Sequence, residues 1–139
     1  MKKITFIGLG VMGFPMAGHL SKQGYGVSVY NRSKEKSKLW TEKYNGKYFT
    51  SVKEAVTNSD IVFSCVGNDT DLRDITLGED KAFSAMKPDS VFVDHTTTSS
   101  DIASELYKKA KEYEIHFLDA PVSGGEVGAV KGELTVMIG

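Results

Sequence analysis

Gly8, Gly10 and Gly13 fall at G-x-G-x-x-G spacing in the run Gly8-Leu9-Gly10-Val11-Met12-Gly13, a spacing suited to holding a chain of phosphates. The first glycine permits a tight turn out of a strand. The second lets a pyrophosphate approach the backbone without meeting a Cβ, and the third lets a helix pack close on the strand. Free N–H groups at the start of that helix, carrying roughly half a positive charge from the macrodipole, face the phosphates. The spacing alone is a weak signal in a chain with 14 glycines among 139 residues; its surroundings make it specific.

Two further groups of residues can do chemistry. Asn31-Arg32-Ser33 lies about twenty residues past the glycines, where a carboxylate would accept hydrogen bonds from the ribose hydroxyls of NAD. No carboxylate follows the strand here. Arg32 instead offers a permanently charged planar fork suited to phosphate, and Asn31 and Ser33 add neutral donors. Charged hydrogen bonds of this kind contribute roughly 1.5–3 kcal/mol, so the expected cofactor is NADP(H) rather than NAD(H). The other group is Asp119-Ala120-Pro121-Val122-Ser123-Gly124-Gly125-Glu126. Pro121 stiffens the chain, and Ser123 beside the exposed amides of Gly124 and Gly125 makes either a small carboxylate site or a glycine-rich turn with no ligand.

The elements that must position these residues are legible by period. Ile4-Thr5-Phe6-Ile7 is a β-prone run leading into the glycines. Met16, Ala17 and Leu20, with Val11 and Met12 a turn earlier, give the next segment an apolar helical stripe. Gly24 ends that helix, and Val27 to Tyr30 alternates as the second strand. Residues 34–43 predict a helix with Leu39 and Trp40 turned inward, and residues 47–50 a brief extended piece. Ser51 and Glu54 predict a capping box before a short helix in which Val52, Ala55 and Val56 face inward. Strands follow at 61–66, 91–94 and 115–118, a seventh extended segment at 134–138, and helices from near Asp71, at 79–86, at 98–113 and near Glu126. Continuous apolar strands separated by helices predict an α/β, doubly wound, mainly parallel sheet covered on both faces. Ligands bind such sheets outside the carboxyl ends of the strands. That rule gathers Gly8–Gly13, Asn31–Ser33, Gly67–Thr70, His95–Ser99 and Asp119–Gly125 on one rim.

Composition limits the classes of function. A chain of 139 residues with 40% hydrophobic residues and a formal net charge of −1 fits one globular domain. No basic patch points to nucleic acid, and the lysines at 34, 36, 38 and 43 read as a solvated face with glutamates among them. No apolar run approaches the ~18 residues of a membrane span or the core of a signal peptide. The single cysteine, Cys65, lies in an apolar strand as a packed, inert thiol and fits a reducing cytoplasm. His19 reads as a packing or surface residue, His116 as buried within a strand, and His95 as a rim residue; their spacing supports no metal site.

With Pro15-Met16-Ala17 after the first glycine motif and Asp119-Ala120-Pro121-Val122-Ser123-Gly124-Gly125 far downstream, the whole chain resembles the β-hydroxyacid dehydrogenase family. That family includes 3-hydroxyisobutyrate dehydrogenase, tartronate semialdehyde reductase and the glyoxylate/succinic semialdehyde reductases. The resemblance implies a Rossmann-type NADP-binding domain over residues 1–139. It implies cofactor contacts from Gly8, Leu9, Gly10, Val11, Met12, Gly13, Asn31, Arg32 and Ser33. Val66, Gly67, Asn68 and Thr97 would line the adenosine-ribose and nicotinamide ends, and Ser123, Gly124 and Gly125 would hold a small substrate's carboxylate. In the family a lysine on a long helix leaving this domain is the general acid/base, and an all-helical domain follows. No residue of these 139 matches that lysine; Lys131 belongs to the substrate-loop segment. The expected reading is therefore a cofactor-binding half with very slow hydride transfer of its own. A non-catalytic NADP(H)-binding module or one half of a shared-site assembly is the alternative. Apolar surface left uncovered would favour a homo-oligomer.

Overall fold

The computed structural model describes residues 2–138. The chain opens with β1 (Lys3–Ile7), α1 (Gly13–Lys22), β2 (Gly26–Tyr30), α2 (Lys34–Lys43), β3 (Lys47–Tyr48) and α3 (Val52–Val56). It continues through β4 (Ile61–Ser64), α4 (Asp69–Thr76), α5 (Ala82–Ala85), β5 (Val91–Asp94), α6 (Ser100–Glu112) and β6 (His116–Asp119). These strands make one parallel sheet in the order β3-β2-β1-β4-β5-β6. From β1 the chain moves outward through β2 and β3, returns to the other side of β1 at β4, and moves outward again. The direction reverses between β1 and β4, so the carboxyl ends of those two strands open a crevice. The fold is a Rossmann-like doubly wound α/β sheet.

Alternation along the strands divides the core. Phe6 points to one face with Leu9, Ala17, Val27, Val29 and Trp40. Its neighbour Ile7 points to the other, joining Val62, Phe92 and Phe117 beneath α3 to α6. Trp40 is fully buried and its indole N–H donates to the Phe14 carbonyl at 3.3 Å, tying α2 to α1. Burying a side chain of this size is worth about 3 kcal/mol. Its direction also sets the inward face of α2: Ser37, one turn earlier, is buried, and Leu39 is left 55% exposed, contrary to the expected Leu39–Trp40 pair.

Other boundaries shift for local reasons. Ser51 caps α3 by accepting the Glu54 N–H at 3.1 Å, while the Glu54 carboxylate takes the Ser51 hydroxyl. Asn68 accepts the Asp71 N–H at 2.9 Å, which starts α4 at Asp69 rather than near Asp71. The strand expected to reach Val66 stops at Ser64, and the helix expected from residue 79 shrinks to Ala82–Ala85. His116 is exposed, with its ring 3.8 Å from Asp89, because it faces outward on an edge strand. The final segment forms a separate antiparallel ribbon. In it β7 (Val122–Ser123) pairs with β8 (Thr135–Val136), with α7 (Gly125–Lys131) between them.

Candidate functional site

The crevice between β1 and β4 is a cleft of about 570 Å³. Its floor is the turn after β1. Gly8 has φ +99° and donates its N–H to the Tyr30 carbonyl at 2.9 Å; a Cβ there would collide with the Cys65 carbonyl. Gly13 is pressed against Gly8, whose carbonyl a Cβ would strike. Gly10 differs: a Cβ there meets nothing within 4 Å and would project into the open cleft. Among the described residues, the N–H groups of Gly10, Val11, Met12 and Gly13 have no protein acceptor. They stand at the start of the ten-residue α1. A bare backbone, four unused donors and a helix's positive end fit a pyrophosphate.

Leu9 departs from the expectation of a cofactor contact. Its N–H donates to Asn31 Oδ1 at 2.8 Å and its side chain is fully buried. Asn31 accordingly holds the turn in place, and its Nδ2 donates to the Ser33 carbonyl at 3.2 Å. The Asn31 amide links the end of β2 to the glycine turn.

Arg32, Ser33 and Lys36 lie together on the cleft wall at the exit of β2 and the start of α2. Ser33 is the N-cap position of α2, and its hydroxyl makes no capping bond. Lys36, grouped from the sequence with the solvated lysines, joins the cleft because it follows Ser33 by three residues and shares its face. A carboxylate reaches this place after all. Asp71, in the first turn of α4, accepts from Arg32 Nη2 at 2.7 Å. That hydrogen bond and its charge hold the guanidinium above its ordinary pKa. The Arg32 side chain is still 78% exposed.

The remaining predicted residues distribute unevenly. Val66 and Gly67 line the cleft, with the Val66 N–H donating to Thr96 Oγ1 at 2.9 Å. Asn68 turns to cap α4. Thr97 is exposed beyond β5 and off the cleft wall; Thr96 makes the tie. His95 is buried, stacked on Phe63 at 5.6 Å, with Nδ1 2.7 Å from the Ala120 carbonyl, and so braces β5 against the exit of β6. Cys65 is half-buried, and burial, reinforced by Asp94, pushes its thiol up to about 11, consistent with an inert role. Ser123, Gly124 and Gly125 are exposed on the ribbon and the start of α7, with φ +127° at Gly124 and +62° at Gly125. They do not line the cleft, but α7 comes beside the glycine turn. A neighbouring cleft of about 420 Å³ is lined by Gly10 and Val11 from the turn and by Glu126 and Val130 from α7.

With this geometry in view, comparison with known proteins identifies the domain. Residues 3–139 match the family described as the NAD binding domain of 6-phosphogluconate dehydrogenase. The chain belongs to that family. This NAD-binding domain is 55% identical over its full length to an uncharacterized oxidoreductase of Shewanella frigidimarina, of which it covers 48%. It superposes with a TM-score of 0.90 on the Mycobacterium tuberculosis 3-hydroxyisobutyrate dehydrogenase solved with L-serine, at 31% identity, covering 100% of this chain and 46% of that one. A third match, Psf3 in complex with NADP+ and 2-OPP, shares the fold with a TM-score of 0.91 at 24% identity, covering 97% of this chain and 48% of Psf3. The domain thus spans about half the length of the relatives it matches. Of these relatives, the Shewanella protein is described as an oxidoreductase and the Mycobacterium one as a 3-hydroxyisobutyrate dehydrogenase.

Proposed function

We propose that residues 1–139 bind NADP(H) for an oxidoreductase of the β-hydroxyacid dehydrogenase type, acting on a small carboxylate-bearing alcohol or semialdehyde. The observation that carries the reading is the set of four partnerless amides at the start of α1, opening onto the same cleft as Arg32, Ser33 and Lys36. Gly10 to Gly13 would hold the pyrophosphate, and Arg32, Ser33 and Lys36 the phosphorylated adenosine ribose. The cofactor supplies hydride exchange at its nicotinamide ring. Psf3, a more distant member of the same fold, was solved with NADP+, which supports the choice of cofactor.

The substrate's carboxylate would lie at Ser123, Gly124 and Gly125; among the described residues, the positive-φ glycines' N–H groups have no backbone acceptor. The side chain that moves the hydroxyl proton is not assigned within residues 1–139. Lys36 stands at the adenosine end of the cleft, and Lys131 is exposed at the end of α7. Exposed Val127, Val130, Met137 and Ile138 give the ribbon side an apolar surface that supports self-association.

The test is a fluorescence titration of the chain with NADPH and with NADH. NADPH is expected to bind about tenfold or more tighter, as one charged hydrogen bond to phosphate requires. Equal affinities or an NADH preference would overturn the choice of NADP(H), and the absence of binding by either would overturn the nucleotide reading. Turnover of glyoxylate or succinic semialdehyde by these 139 residues alone is expected to be negligible.

A further inference from the structure

Asp71 is the one carboxylate among the described residues on the wall of the main cleft. It reaches there from α4, across the crevice from the end of β2. Oδ1 accepts from Arg32 at 2.7 Å, and Oδ2 lies 2.6 Å from where a Cβ on Gly67 would stand. Only the bare backbone at Gly67 leaves room for the carboxylate to lean into the cleft. Oδ2 has no hydrogen-bond partner among the described residues.

Building on the nucleotide reading above, we propose that Asp71 sets the cofactor preference of this site. It competes with a 2′-phosphate for Arg32, and it accepts hydrogen bonds from the ribose hydroxyls of an unphosphorylated adenosine. In dinucleotide sites selective for NAD that acceptor is a carboxylate at the end of the second strand. Here position 31 is Asn, whose side chain is engaged with Leu9 and Ser33. The space beside Arg32 is reached instead by an acid 39 residues further along the chain.

The geometry favours competition over a supporting role. A carboxylate that orients an arginine for a ligand sits behind it, away from the ligand. Asp71 stands on the cleft wall itself, with Arg32, Ser33 and Lys36. The pair is also easily broken. Arg32 is 78% exposed, and an exposed ion pair of this kind is worth at most about fivefold in an equilibrium constant. A dianionic phosphate can take the guanidinium over, with Ser33 and Lys36 adding donors. Asp71, 26% exposed and fixed in the first turn of α4, then remains as a like charge beside the phosphate. When the 2′-phosphate is missing the pair stays intact and Oδ2 is available to a hydroxyl.

Calorimetric titration of the unsubstituted chain, Asp71→Asn, Arg32→Ala and the double variant with NADPH and NADH tests this. Asp71→Asn should bind NADPH about fivefold or more tighter and NADH more weakly, moving the ratio of the two affinities about tenfold toward NADPH. In the Arg32→Ala background the NADPH gain should shrink to the part that relief of like-charge repulsion alone supplies, because there is no longer a guanidinium to compete for. An unchanged ratio, or weaker NADPH binding by Asp71→Asn, would overturn the assignment while leaving the nucleotide reading intact. An NADH preference of the unsubstituted chain would overturn only the choice of NADP(H); the direction of the Asp71→Asn shift would still decide the role of Asp71. Binding of neither dinucleotide to any of the four proteins would overturn both readings together.

Discussion

At the exit of β1, Gly8 and Gly13 are wedged among backbone carbonyls, and the turn between them rests on a ten-residue helix packed into the core. At the exit of β6, Gly124 and Gly125 lie on an exposed two-residue ribbon that leads into a seven-residue helix. A Cβ on Gly124 would come closest to the Leu134 side chain and nearby backbone of the same segment, and one on Gly125 would meet nothing within 4 Å. The first corner is shaped by the parallel sheet, since the end of β2 and the residue just after β4 supply the carbonyls of Tyr30 and Cys65. The second is shaped by local pairing and by one side chain from outside, His19. Glycine serves close packing in one place and backbone exposure in the other. The proposed phosphate cradle is therefore rigidly built into the sheet, while the proposed carboxylate cradle is loosely held.

Substitution within the first corner should break the comparison hardest. Gly13→Ala drives a methyl group into the Gly8 carbonyl. Both atoms belong to backbone held by the sheet and the helix, so neither can yield cheaply. The expected loss is about 3 kcal/mol or more of stability, read as a large drop in denaturation midpoint. Gly10→Ala should leave the midpoint within about 0.5 kcal/mol and weaken dinucleotide binding about tenfold or more, because its methyl group enters the cleft where phosphate would approach. Equal destabilisation by the two substitutions would mean that the three glycines do not divide the labour in this way.

How legible these regions were follows from the range of the interactions that make them. The strand, turn and helix of the first corner are encoded within thirty residues, by alternation in Ile4–Ile7, glycine spacing and the stripe at Met16, Ala17 and Leu20. The parallel sheet follows from alternating strands and helices; its strand order does not, since other doubly wound orders satisfy the same crossover rule. Asp71 escaped because its pairing with Arg32 spans 39 residues and depends on β4 lying beside β1. Lys36 escaped because composition alone cannot separate one face of a polar helix from another. Leu39 misled because hydrophobicity ranks it above Ser37, whereas the direction of Trp40 decides which residue is covered. The extended segment at 134–138 was legible, but its two-residue antiparallel pairing with Val122–Ser123 carries too little pattern to be seen in sequence. The tie of the second glycine segment to α1 through His19 was likewise invisible across |i−j| of 110.

That tie makes the next test. His19 Nε2 lies 2.9 Å from the Ala129 carbonyl and 3.0 Å from that of Val130, and a Cβ on Gly132 would lie 3.4 Å from the ring. One imidazole therefore terminates α7 and joins it to α1. His19→Ala should lower the local stability of residues 125–136 by about 1 kcal/mol, speeding their amide exchange while residues 3–30 stay protected. Uniform acceleration across both corners would show that the second is built into the core as firmly as the first.

The smallest effect concerns how the second segment is rooted in the sheet. Asp119, where that segment begins, stands in register beside Asp94. Asp94 is fully buried, and its Oδ1 accepts from Ser64 Oγ at 2.8 Å and from the Thr96 N–H at 3.1 Å. Its Oδ2 and Asp119 Oδ1 are buried with no hydrogen-bond partner among the described residues. Burial raises the pKa of Asp94 against those hydrogen bonds, with the neighbouring Asp119 adding to the rise, and burial also raises Asp119. The folded chain thus retains protons that the unfolded chain releases above about pH 4. The stability these groups contribute is complete below that pH and is lost as pH rises through their folded pKa values. Asp60 acts in the opposite sense: lowered to about 2 by the hydrogen bond from Lys87, it stabilises above about pH 4 and ceases to as pH falls toward 2. Asp94→Asn preserves the acceptor for Ser64 and Thr96 while abolishing the titration. Its melting temperature relative to the unsubstituted chain should therefore climb between pH 4 and pH 8, and Asp119→Asn should follow the same direction more weakly, being less buried. A difference that stays flat over that interval would mean that the two carboxyls at the root of the second segment do not exchange protons on unfolding.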